Sequence, residues 1–332
     1  MNDNKAIISS RIRLARNLVS YSFPNKSTKE ECEKVINLVR DAIIKSNTVL
    51  KDEFEFYKMS ELNEIDKQSM IEEHLISIDL SNNECGAVLI KKDKTVSIMI
   101  NEEDHIRIQT LEYGIKLDKA WDMADKIDDI LEENLKYAFH ENLGYLTSCP
   151  TNTGTGMRAS VMVHLPALTE LGYMDEVLQI SGQLGLAVRG MYGEGSDSSG
   201  CIYQISNQLT LGRREQETIE NVMGMAKQII DKELYARELL KNKLGIKLED
   251  RIFRSLGILK NARTIDSKEA IKLLSTLKLG VEMGYITNIT TREIDKLMVD
   301  VHPGHQSKIY KSNDYTKRDI NRAIYLRKSL SI

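Results

Sequence analysis

The chain changes character at about residue 213. Beyond it, "REQETIENVMGMAKQIIDKELYARELLKNKL" is an almost unbroken run of helix formers. Further helical segments follow, expected to break at Gly257, Gly280, Gly284 and Pro303, with no strong strand among them. Before that point β-prone runs recur at 74–80 ("HLISIDL"), 86–92 ("GAVLIKK") and 95–101 ("TVSIMIN"), the last two joined by Asp93-Lys94 and read as an antiparallel meander. An amphipathic helix is predicted over 117–139, with Ala120, Met123, Ala124, Ile127, Ile130, Leu131 and Leu135 on one face. Strand-like 160–165, helix-like 173–185 and strand-like 186–192 and 201–209 come next. The first two thirds therefore read as α+β. The compositional shift sets an expected boundary near 236, with a small all-helical domain over 237–332.

Bulk properties exclude several classes of function. Hydrophobic residues make up 41% of the 332, enough for a sizeable core, and no apolar run approaches the length of a membrane span. The N-terminal "MNDNKAIISS" lacks the apolar segment of a secretion signal, so a cytoplasmic protein without a membrane partner is expected. Four scattered cysteines, Cys32, Cys85, Cys149 and Cys201, form no CxxC pair and predict reduced thiols with no protein-held metal. A net charge of -3 gives no reason to expect nucleic acid, while leaving room for a local cationic pocket.

Such a pocket is what the motifs suggest. In "SSRIR" (9–13) an extended backbone would put Arg11 and Arg13 on one face, where two like charges call for an anion. "NEEDHIR" (101–107) sets three carboxylates and Arg107 at a strand end; a charged turn there is ordinarily solvated surface. "CPTNTGTGMRAS" (149–160) adds Arg158, and its Gly154 and Gly156 would let backbone approach a ligand closely. "RGMYGEGSDSSG" (189–200) brings Arg189 and Glu194 to another strand end, and His74, taken to open the strand at 74–80, reads by itself as structural. There is no GxxxxGK[ST], HRD or DFG. Five arginines nonetheless match the charge of a nucleoside triphosphate and can grip phosphate oxygens bidentately without a lysine or a Walker loop.

Together "SSRIRLARN", "NEEDHIRI", "CPTNTGTGMRASV" and "RGMYGEGSDSSGCIYQISNQLTLG" closely resemble the signature blocks of the phosphagen (guanidino) kinase family, in its order. The resemblance implies an antiparallel sheet flanked by helices and transfer of phosphate from ATP, as its Mg2+ complex, to a guanidinium nitrogen. It implies that Glu103 and Glu194 bracket that guanidinium, that Cys149 helps position it, and that ATP is held by residues of every block. These are Ser9, Ser10, Arg11, Ile12 and Arg13; His74 and Arg107; Arg158, Ala159, Ser160, Val161 and Met162; and Arg189, Gly190, Met191, Tyr192, Gly193 and Glu194. A guanidinium with a pKa of about 12 or higher is a poor nucleophile until paired carboxylates localise its charge and align one nitrogen.

The chain departs from the small-molecule members at both ends. "SSRIR" stands at residue 9, which leaves no expected place for the helical N-terminal domain that closes over free creatine or arginine, and about ninety helical residues are added at the C-terminus. This arrangement resembles the bacterial protein-arginine kinases. It implies an arginine side chain of a protein as substrate. Within the added part "RDINRA" (318–323) is similar to a motif understood to bind phosphoarginine, which implies an allosteric site at Arg318, Asp319 and Arg322. The expected partners, implied by resemblance alone, are protein substrates with exposed arginines, a transcriptional repressor among them, an activating zinc-binding protein, a Clp-type protease that reads the mark in stress responses, and a second copy in a homodimer. The competing readings are a free-arginine phosphagen kinase and an inactive phosphoarginine-binding adaptor.

Overall fold

The structure, a computed structural model, describes residues 5–46, 48–190, 199–311 and 314–331. Its chain divides into two compact units, Ser9–Val161 with Ser206–Gly224, and Met1–Ile8 with Met162–Ile205 and Met225–Ile332. The first, here the motif unit, contains most of β1 (Ile7–Arg16), then α1 (Lys29–Ile44), β2 (Phe54–Lys58), α2 (Glu64–Glu72), α3 (Ile78–Ser81), β3 (Ala87–Lys91), β4 (Val96–Ile100), β5 (Ile106–Tyr113) and α4 (Leu117–Glu132). A short hairpin, β6 (Phe139–His140) with β7 (Gly144–Tyr145), and the first part of β8 (Met157–His164) complete it. Its main strands run β2-β3-β4-β5-β1-β8, with antiparallel pairing along the first five.

Strand parity separates two faces. Ile12 and Leu14 of β1 lie opposite Thr110 and Ile108 of β5, which pair in turn with Val96 and Ile98 of β4. This face is apolar and buried against α1 and α4, which contribute Val35, Ile36, Val39, Ala120, Ala124, Ile127 and Leu131. Each fully buried aliphatic side chain is worth about 1.5–3 kcal/mol, so this layer fixes the sheet. A capping box between Thr28 and Glu31 starts α1. The opposite face is divided. At its β3–β4 end Val88, Ile90 and Met99 are covered by Met59, Leu75, Ile76 and Leu80, whereas its β5–β1 end carries arginines.

That cover corrects one expectation. Residues 74–80 are not a strand. They form the turn after α2 and the start of α3, because Ser77 accepts the Leu80 N–H and caps α3 while Leu75, Ile76 and Leu80 turn into the core. The helix expected over 117–139 stops at Glu132, since the Ala138 N–H donates to Asn17 O and its carbonyl accepts the Leu146 N–H. Residues 87–91 and 96–100 form the expected hairpin, whereas β2 and β5 lie outside the runs read as strands.

The second, helical unit contains α5 (Pro166–Glu170), α6 (Met174–Gln183), β9 (Leu186–Gly190), β10 (Ile202–Asn207) up to Ile205, and, from Met225 on, α7 (Glu215–Leu244). It continues with α8 (Ile246–Asn261), α9 (Ser267–Glu282), α10 (Thr291–Asp300), α11 (Pro303–Tyr310) and α12 (Tyr315–Ser329). No strand occurs among the described residues beyond β10. Gly257 and Gly280 lie inside α8 and α9 and do not break them; Gly280 lets α9 close onto Ile252 of α8, where a Cβ would collide. Gly284 (φ 82°) and Pro303 do sit at helix ends. The expected boundary at 236/237 falls within α7, a continuous helix of 30 residues. Inside this unit a buried charge network joins Glu233 and Arg237 of α7 to Glu282 of α9. Glu233 also accepts the N–H groups of Ala167 and Leu168. His164 bonds Ser275 Oγ at 2.8 Å, and its burial pulls its pKa down to about 4, so it is neutral here.

Candidate active site

Parity places the arginines. Arg11 and Arg13 lie opposite Leu111 and Gln109, and Arg107 lies opposite Ala15, so all three guanidiniums rise from one face of β1 and β5, with Arg107 diagonal to Arg13. On the other side of β1 the Ala15 N–H donates to Gly156 O (2.9 Å) and Ser160 Oγ to Arg11 O (3.4 Å), which sets Arg158 of β8 beside Arg13. Arg16, one residue out of phase, goes to the other face. It is 2% exposed, bonds Asp128 of α4 at 2.6 and 3.0 Å and stacks 3.5 Å from the Tyr145 ring, a structural arginine within the same motif.

The four clustered guanidiniums strain one another. Burial, then Arg107 and Arg158, pull Arg11 down to about 10, and burial with Arg11, Arg107 and Arg158 pushes Arg13 well below its ordinary value, offset in part by Glu102. Arg13 Nε is buried without a hydrogen-bond partner among the described residues. A guanidinium does not release its proton in a protein, so the strain is expressed as demand for anionic oxygen.

The acidic loop between β4 and β5 is less solvated than its composition suggests. Asn101 opens it in the left-handed region (φ 55°), with its side chain donating to the carbonyls of Cys32 and Cys85. Glu102 turns in, pairs with Arg107 and accepts the Glu103 N–H at 3.0 Å. Asp104, 2% exposed, accepts from Asn17 Nδ2 (2.6 Å) and from the Ser148 N–H (2.7 Å). His105 receives the Leu18 N–H on Nδ1, so Nε2 carries the proton given to Ser22 O, and burial lowers its pKa. Glu103 alone projects outward. Its carboxyl is raised above the ordinary value, by desolvation first and then by Asp104 and Glu102, against a lowering pull from Arg107.

Asp104 thereby joins two motifs: its own backbone carries Glu103, and its carboxylate holds the residue before Cys149. The Cys149 thiol is half-buried, 3.0 Å from Thr151 Oγ1, in a loop whose Thr151 and Thr153 carbonyls accept from Thr210 Oγ1 at 2.9 and 2.7 Å. The loop glycines serve the chain itself. Gly156 (φ 63°) would set a Cβ 2.6 Å from Ala15 O, and Gly154 (φ 119°) one 2.5 Å from Thr210 O, so both make room for neighbouring backbone where sequence suggested room for a ligand.

The other expected nucleotide contacts fall as follows. Ser10 Oγ donates to Gly114 O and accepts the Lys116 N–H; Ser9, Ile12, Ala159, Ser160, Val161 and Met162 are buried in the strands. Ala159 gives its N–H to Asn207 Oδ1. His74 stands at the end of α2 and not at a strand start; its carbonyl accepts from Gln109 Nε2 at 2.6 Å, a partner that sequence reading missed. Arg189 is exposed and Gly190 half-buried at the end of β9, in the helical unit; Met191, Tyr192, Gly193 and Glu194 lie outside the described residues.

On α12 the three expected phosphoarginine contacts have different fates. Arg322 is 2% exposed and spends Nε on Val301 O (2.6 Å) and Nη1 on Ile265 O (2.8 Å) and Asp319 Oδ1 (2.5 Å). Arg318 stays half-buried, 5.8 Å over the Tyr315 ring, and is the member of the trio whose guanidinium is not drawn into the core.

Comparison with known proteins places this geometry. The C-terminal catalytic domain of the ATP:guanido phosphotransferases matches residues 34–236, and the C-terminal domain of the protein-arginine kinase McsB matches 245–332. A protein-arginine kinase of Caldanaerobacter subterraneus subsp. tengcongensis is 51% identical over 332 residues, covering 99% of this chain and 98% of its own. One from Clostridium kluyveri is 48% identical over 329 residues, covering 98% and 95%. Among solved structures, a lombricine kinase superposes with a TM-score of 0.61 at 25% identity, over 70% of this chain and 69% of its own. A duplicated taurocyamine kinase of Schistosoma mansoni does so with a TM-score of 0.61 at 28% identity, over 69% and 33%.

Proposed function

The chain belongs to the ATP:guanido phosphotransferase family, among its protein-arginine kinases, and from that premise we propose that it transfers the γ-phosphoryl group of ATP to arginine side chains of proteins through the site just described. The observation that carries the reading is the arginine face, Arg11, Arg13, Arg107 and Arg158, built in the same unit as the Asp104 bridge that ties Glu103 to the Cys149 loop.

In this mechanism the arginines bind the phosphates and stabilise charge on the transferring group, as positioning and electrostatics dominate phosphoryl transfer. Glu103 orients the substrate guanidinium and takes one N–H proton as the N–P bond forms and the bond from the γ-phosphorus to the bridging oxygen breaks, releasing ADP. A carboxyl raised above its ordinary value suits that exchange. Cys149 lies along the guanidinium and Glu194 is assigned as the second carboxylate on sequence grounds. Mg2+ enters as part of the substrate, bound to phosphate oxygens.

The finer reading gives residues 237–332 a phosphoarginine site at Arg318, Asp319 and Arg322, and places the enzyme in the cytoplasm, acting in stress responses on a repressor and other proteins, with an activator, a Clp-type protease and a second copy as partners. What supports it is the resemblance of the motifs; no described helix is long and apolar enough to cross a membrane.

Incubation with Mg-ATP and either free arginine or an unfolded protein, followed by mapping of acid-labile phosphate, separates the readings. Label on protein arginines is the expected result. Label on free arginine alone would favour a small-molecule phosphagen kinase, and no label an adaptor. Separately, Arg13→Ala, Arg107→Ala and Arg158→Ala are each expected to weaken ATP binding about ten- to a hundredfold by calorimetry, the scale of a lost hydrogen bond to a charged group. Unchanged affinity in all three would remove the phosphates from this face.

A further inference from the structure

We propose that Gln109 is a positioning residue for the nucleotide pocket, acting through His74; this rests on the reading of the arginine face as the ATP site. On β5 it occupies the central position of that face, between Arg107 and Leu111, with Arg13 opposite on β1 and Ser97 opposite on β4. It is 4% exposed. A neutral amide buried there, between two arginines and a serine, is costly unless bonded. The amide instead spends its Nε2 donors on the His74 carbonyl at 2.6 Å and Ser97 Oγ at 3.2 Å.

The His74 end of that bond is unusual in its own right. Helix α2 ends in a paired cap, with the His74 N–H on Ile71 O and the Leu75 N–H on Met70 O, both at 2.9 Å, and Leu75 and Met70 packed in one apolar cluster. Such a cap needs a left-handed residue after the last turn, a place that glycine fills without strain. Here it is histidine, with φ 59°. That His74 also meets the nucleotide is what the resemblance of the motifs implies, and the proposal takes it as a premise. Turning the chain left-handed at this point aims the His74 carbonyl at β5, and the Gln109 amide then clamps the turn to the strand that carries Arg107. The clamp fixes His74 relative to the arginines.

The test is Gln109→Met in the full-length enzyme, a near-isosteric change that keeps the packing and removes the donors. The expected result is an about five- to tenfold rise in the Kd and KM for ATP, the effect of one lost hydrogen bond, with kcat and the KM for protein substrate changed less than twofold. In a His74→Ala background the same substitution should add nothing, because the two act as one unit. Equal ATP affinity in Gln109→Met and wild type, with His74→Ala impaired, would overturn the positioning role alone. Fully additive losses would also overturn it, since Gln109 would then act on the nucleotide by another route. Unchanged affinity in His74→Ala would overturn the placement of His74 at the nucleotide, and the proposal with it.

Discussion

Glu103→Gln is expected to lower turnover about a hundredfold or more while leaving ATP affinity nearly intact, since the amide keeps the shape of the side chain and loses the base. Its neighbours explain why the loss should be confined to chemistry. Glu102 is already committed to Arg107 and Asp104 to Asn17 and Ser148, so neither is free to take over the proton, and the loop they hold keeps its form. The pH profile gives a second readout. Glu103 works ionised, and its pKa is raised, so activity should fall as pH drops through a value above the ordinary carboxylate 4.5, and this acid limb should vanish in the Gln variant. Turnover within a few fold of wild type would end the assignment of Glu103 as base.

Arg322→Ala is expected to destabilise the protein by about 3–5 kcal/mol, read as a lower midpoint in urea, because it empties a buried site and strands two buried carbonyls and a part-buried carboxylate. The carbonyls of Val301 and Ile265 and the Asp319 carboxylate all depend on this one guanidinium, itself 2% exposed. Arg318→Glu should behave differently. Half-buried over Tyr315, it can reverse charge with the fold intact, and if α12 binds phosphoarginine the affinity for free phosphoarginine should fall at least about tenfold. An unchanged midpoint in Arg322→Ala would contradict its core role, and wild-type binding by Arg318→Glu would return α12 to an ordinary charged surface.

Much of this protein is decided by local rules that the sequence carries by itself. A period of two put Arg11 and Arg13 on one face and Ile12 and Leu14 on the other, and the loss of that period after residue 213 announced the run of helices through α12. The family follows from four short blocks whose spacing no packing accident would reproduce. Other features depend on partners far along the chain. Residues 74–80 have the composition of a strand, yet a serine cap and a glycine-like turn at His74 make them a lid over β3 and β4. Gly154 and Gly156 look like ligand loops in one dimension and prove to be clearances for Thr210 and Ala15. Arg16 and Arg322 read like Arg11 and Arg318, but Asp128 claims one and two carbonyls claim the other. Side-chain type and spacing are written locally, whereas whether a charge meets solvent, a ligand or a buried counter-charge depends on which distant backbone arrives beside it, and only the tertiary structure decides that.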